Sequence, residues 1–77
     1  MHIEEIFNKI EEERLYQEQR WGHIDSKNTP YNWAAYITQY ATRNLIGNPE
    51  EIDVEKFRND MLKVATLAVA ALQSIKE

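Results

Sequence analysis

VEKFRNDMLKVATLAVAALQSI, residues 54–75, decides the fold. Within it Val54, Phe57, Met61, Val64, Ala68, Ala71 and Ile75 recur in a strict heptad, and Ala65, Val69 and Leu72 widen the stripe. Spacings of three and four put these residues on one side of an α-helix, because 3.6 residues complete a turn. Asp53 is a good N-cap, since its carboxylate can accept from the orphan amides of the first turn. A helix over about 53–76 follows, and at 1.5 Å per residue it is about 35 Å long. The small residues Ala65, Ala68, Ala70 and Ala71 let a second helix approach closely. This segment is apolar over more than half its girth, so it forms the hydrophobic centre of the molecule.

Working back along the chain, glycine and proline occur only in two short stretches, Gly22 to Pro30 and Gly47 to Pro49. These leave two further segments without internal breakers. In Thr29-Pro30 an N-cap precedes a proline at the first helical position, where the missing N–H costs nothing. The second helix is therefore expected over about 30–46, with Trp33, Tyr36, Ile37, Tyr40, Ala41 and Leu45 as its apolar face and Gly47 and Pro49 as its stop. The first helix, over about 3–21, carries Ile3, Ile6, Phe7 and Ile10 at helical spacing. The same stripe continues through Arg14, Gln17 and Trp21 before Gly22 offers an end. A stripe that turns polar halfway needs polar partners, which places its second half at a subunit interface or a wet pocket.

The fold class is all-α, a single domain over 1–77. Three amphipathic helices of this composition cannot cover one another, and a 77-residue core supplies only about 3–5 kcal/mol. Without cysteine neither disulfides nor thiolate metal sites can supplement it. Completion by homo-oligomerisation is the expectation, with a dimer or a tetramer equally compatible. The start MHIEEIFNK lacks the order of a signal peptide, and the apolar run from Val64 to Leu72 falls short of the ~20 residues a membrane span requires. A cytoplasmic location with no membrane partner is expected. The net charge of −4, with scattered Lys and Arg, leaves no footprint for a nucleic acid.

Several groupings could carry chemistry. Glu11-Glu12-Glu13 reads as a solvated face, since adjacent helical residues point about 100° apart. His23 and Asp25 form an H-x-D pair with no third or fourth ligand, which is too little for a metal. Asp60 and Lys63 share a helix face at i, i+3. With Gln39 and Arg43 from the second helix, and Arg14, Gln17 and Trp21 from the first, they are the candidate ligand-binding set. Three cationic donors around one carboxylate would favour phosphates; a surface ion pair is the plainer reading of Asp60 and Lys63.

Glu13-Arg14, Gln17, Gln19 and Trp21-Gly22 are followed by an asparagine-containing loop, by Trp33 opening an aromatic helix, and by Phe57-Arg58 leading to Met61 and Val64-Ala65. Over nearly the whole chain this series resembles the MazG-like proteins of phages and prophages, of the all-α nucleoside triphosphate pyrophosphohydrolases. The resemblance implies a helical homo-oligomer. It also implies that active relatives hold Mg²⁺ with an E-x-x-E motif on the second helix and an E-x-x-D motif on the long one. Here the first motif falls near Gln39 or Tyr40 and Arg43, none of them acidic. The second keeps Asp60 but carries Lys63 where the other acid belongs. Mg²⁺ wants several oxygen ligands in octahedral geometry, and one Asp beside a Lys does not provide them.

Three readings follow. The leading one is a non-catalytic MazG-like module that binds or sequesters a nucleotide or phosphorylated small molecule, with no catalytic residue, no metal site and no cofactor. The second is a residual pyrophosphohydrolase in which Glu13 or Glu55 has taken over binding of Mg²⁺. The third is a scaffold that holds a host or phage protein through Trp33, Tyr36 and Tyr40.

Overall fold

The computed structural model describes residues 1–25, 27–45 and 49–75, and the side chains of all of these except 21–25, 44 and 49. Its order is α1 (Ile3–Asp25), α2 (Pro30–Thr42), two 3-10 turns at Arg43–Leu45 and Pro49–Glu51, and α3 (Val54–Ser74). No strand occurs among the described residues, and no helix is long and apolar enough to cross a membrane.

The caps follow the sequence. Thr29 is extended (φ −87°, ψ 164°), and its Oγ1 accepts from the Asn32 amide at 3.3 Å, with Pro30 opening α2 behind it. At α3 the Asp53 carboxylate accepts from the amides of Glu55 and Lys56, at 3.0 and 3.3 Å. Each cap satisfies donors that have no partner inside the helix. The first helix departs from expectation by running through Gly22 to Asp25. Glycine inside a helix costs only about 1 kcal/mol relative to alanine, so Gly22 permits a stop without imposing one. The barrier comes later, at Thr29, which the following proline forces out of the α region. The second helix gives way to the 3-10 turn at Arg43, before the expected end at 46, and Gly47 lies outside the described residues. The third helix ends at Ser74, with Ile75 extended (φ −75°, ψ 121°).

Helices α1 and α2 both pack on α3 and barely on each other. Ile6 shares a groove with Val54, Phe57 and Met61 near the start of α3, and Arg14 reaches Gln73 near its end, so α1 runs parallel to α3. Trp33 and Ile37 share a groove with Ala71 and Ser74, whereas Arg43 meets Asp60, so α2 runs antiparallel to it. The long apolar helix is thus the middle of the molecule, as its composition demands.

What it buries is small: among the described side chains, Trp33, Thr66 and Ala70 are the buried residues. The Thr66 hydroxyl, wholly enclosed, donates to the Leu62 carbonyl at 2.6 Å. That local bond satisfies a polar group which would otherwise be costly in a core. Ile3, Phe7, Val54, Phe57 and Leu72 remain exposed, although the sequence places all of them on apolar stripes. The radius of gyration, 13.6 Å, exceeds the about 11.5 Å of a compact domain of this length. A slab of three helices offers each outer helix one neighbour only, so its remaining apolar surface has nothing within the chain to meet.

Candidate functional site

The polar half of α1 finds its partners on α3. Arg14 is half-buried; its Nε donates to Gln73 Oε1 at 2.9 Å and one terminal nitrogen donates to Gln17 Oε1 at 3.2 Å. One turn of α3 carries the other two groups. Asp60, with its side chain 13% exposed, lies 3.7 Å from the Arg43 guanidinium, which also sits over the Tyr40 ring at 5.3 Å. Three residues on, Lys63 donates to Glu13 of α1. Arg43 reaches α3 from the α2 flank and Glu13 from the α1 flank.

The candidate set therefore divides into separate ties. Arg14 and Gln17 come together with Gln73; Arg43 comes together with Asp60; Lys63 meets Glu13. Gln39 is exposed on α2, and the side chain of Trp21 lies outside the described residues, as do those of His23 and Asp25. Asp60 and Lys63 stand one turn apart, but the two cations here, Arg43 and Lys63, each lie beside a different carboxylate. An incoming anion would have to compete with Asp60 for Arg43 and with Glu13 for Lys63. Between opposite charges so close the competition is real, yet both pairs are partly solvated, so it is not prohibitive.

Beside Lys63, α1 and α3 enclose an open groove of about 550 Å³ lined by Lys9, Glu12, Glu13, Tyr16, Asn59, Leu62 and Lys63. Its volume is that of a small-molecule site. Glu12 and Glu13 both line it although they are adjacent in sequence, because the groove is wide enough to admit two directions of the helix surface; Glu12 remains exposed, as a solvated face requires. Two ammonium groups and two carboxylates leave the lining nearly neutral. Among the described residues no three of His, Asp and Glu gather as a metal ion would need. The donor set also disfavours Mg²⁺ at Asp60, since a guanidinium beside that carboxylate repels a second cation.

Sequence reasoning missed Gln73, Asn59, Lys9 and Tyr16. Nothing in their spacing marks them, because their roles depend on α1 lying parallel to α3. Of the aromatic residues offered for a foreign partner, Trp33 is buried, Tyr40 is half-buried, and Tyr36 is exposed and meets Trp33 edge-on at 6.2 Å. The chain matches no known family model, no curated protein and no solved structure.

Proposed function

We propose that the chain is a self-associating, non-catalytic helical module of the MazG-like kind that binds a nucleotide or a phosphorylated small molecule without turning it over. One observation supports the non-catalytic reading above the rest: the surviving acid, Asp60, is in an ion pair with Arg43. A carboxylate so engaged makes a poor Mg²⁺ ligand, and Lys63 one turn away adds a second repulsive charge. Binding draws on the same groups, for Lys63 and Lys9 bring two ammonium groups into the α1–α3 groove, which Asn59 also lines. A phosphate that displaced Glu13 from Lys63 would gain charge-assisted hydrogen bonds of the stronger class.

The test is pyrophosphate release from a panel of nucleoside triphosphates, with and without Mg²⁺ or Mn²⁺, run beside a thermal-shift screen of linear and cyclic nucleotides. The expected result is no release together with stabilisation by at least one nucleotide, since a ligand at a hundred times its Kd adds about 2.7 kcal/mol. Metal-dependent release would overturn the proposal in favour of the residual enzyme, with Glu13, which lines the groove, and Glu55 as the first acids to substitute. Silence in both assays would remove the ligand and leave a purely structural module.

A further inference from the structure

The heptad of α3 is the strongest periodic signal in the sequence, yet the two residues that α3 buries, Thr66 and Ala70, are not part of it. At 100° per residue, Met61, Ala65, Ala68 and Leu72 lie roughly opposite that buried pair. Phe57 and Leu72, towards the two ends of this stripe, are exposed, Leu72 to 72%. The residues between them are half-buried, shaded by the flanking helices without being covered. Between Phe57 and Leu72 the middle of the face is apolar, with Arg58 at one edge and Asp60, paired with Arg43, at the other.

The exposed surface is also large for a chain of this size. The chain exposes 6276 Å², whereas a folded monomer of 9.1 kDa exposes about 4,900 Å². The excess, about 1,400 Å², is more than the about 800 Å² that each member of a standard complex buries. The stripe is also self-complementary when reversed about its midpoint, between Val64 and Ala65. Phe57 then stands level with Leu72 of a second copy, Met61 with Ala68, and Val64 with Ala65. At the two inner levels a larger side chain faces an alanine, which is how two helices interdigitate at short range. A parallel pairing would instead set Met61 on Met61 and Ala68 on Ala68, leaving one level crowded and another void.

We infer that α3 is the seam of a two-fold dimer, its heptad face packed antiparallel on α3 of a second copy with Met61 level with Ala68. The inference rests on the self-association in the proposed function and deepens it by naming face, direction and register. It is isologous, as a closed two-fold interface must be.

The absence of native cysteine makes the test clean. In the full-length chain, Met61→Cys, Ala68→Cys and the double variant are treated with a short bis-maleimide, and their masses in solution are taken by light scattering. A covalent dimer from the double variant alone is expected, since two thiols seven residues apart on one helix lie about 10 Å apart and like positions of the two chains are equally separated. Cross-linking of either single variant would overturn the inference in favour of a parallel seam. Dimers that none of the three variants cross-links would place the interface on another face, overturning the inference while leaving self-association intact. Monomers throughout would overturn both. Leu72→Arg supplies a second readout: a tenfold or greater weakening of the dimer with helix content retained is expected, whereas an unchanged dimer would count against the seam.

Discussion

Where α2 meets α3, a buried indole and Ile37 lie with Ala71 in a largely apolar groove, and Ala70 is almost wholly enclosed. Where α1 meets α3, Ile6 shares an apolar groove with Val54, Phe57 and Met61, and further along the cross-connections are Glu13 to Lys63 and Arg14 to Gln73, beside an open groove of mixed lining. The first seam draws on the hydrophobic effect, which is non-directional and little affected by salt. The second adds to the apolar contact around Ile6 a set of partly exposed charges and amides, which contribute little in water and are screened by ions. The comparison teaches that the docking of α1 depends more on charge than that of α2, so salt and charge substitutions should reach it first.

The largest effect that would break this comparison lies at Trp33. Its replacement by alanine removes the chief buried side chain, a loss of about 3–5 kcal/mol, which equals all that a domain of this size holds in reserve. Chemical denaturation followed by circular dichroism is expected to find Trp33→Ala largely unfolded. Trp33→Phe is the sharper probe. The Trp33 indole N–H is buried without a hydrogen-bond partner among the described residues, and such a donor costs about 1–3 kcal/mol. Phenylalanine loses area but sheds that cost, so a change below about 1.5 kcal/mol is expected. A loss from Phe as large as that from Ala would mean that the N–H matters more than the volume.

Next in size are the caps. Thr29→Ala and Asp53→Ala should each cost about 1 kcal/mol, because each removes a side-chain acceptor from first-turn amides. Both caps serve the α2–α3 unit, so the loss should appear in global unfolding. Native-state hydrogen exchange then compares the seams directly: amides of α1 between Ile6 and Gln17 should exchange through a lower-energy opening than those of α3 around Thr66 and Ala70. Equal protection in α1 and α3 would remove the distinction between the seams.

How much of this was legible in the residues depends on how local each signal is. Thr29-Pro30 and Asp53 marked two helix starts because capping is settled within four residues. The polar turn of the α1 stripe at Arg14 and Gln17 was legible as a demand for partners, but Gln73 could not be named, since parallel packing of α1 on α3 is written in no short spacing. Gly22 misled because a glycine's freedom allows a stop without enforcing one, whereas the proline after Thr29 enforces it. The candidate set included Asp60 and Lys63, which the fold places one turn apart on α3. Its division into separate pairs was hidden, because Glu13 looked like part of a solvated run and only the fold turns it inward.

The smallest effect bears most directly on the α1 seam. Lys63→Met removes the ammonium and keeps most of the aliphatic stem, so packing against Leu62 and Tyr16 survives while Glu13 loses its partner. Both side chains are partly exposed, 41% and 30%, and pairs of this kind are worth about 0.2–1 kcal/mol. Lys63→Met should therefore change global stability by less than about 1 kcal/mol while speeding exchange in α1, and high salt should reproduce the second effect in the unmodified chain. Reversing the pair, Glu13→Lys with Lys63→Glu, should restore slow exchange if the tie is electrostatic, because the same two charges then meet with signs exchanged. Should the reversed pair exchange as fast as Lys63→Met, the α1 seam would be held by its apolar residues, Ile6 and Ile10, and the contrast with α2 would be one of degree.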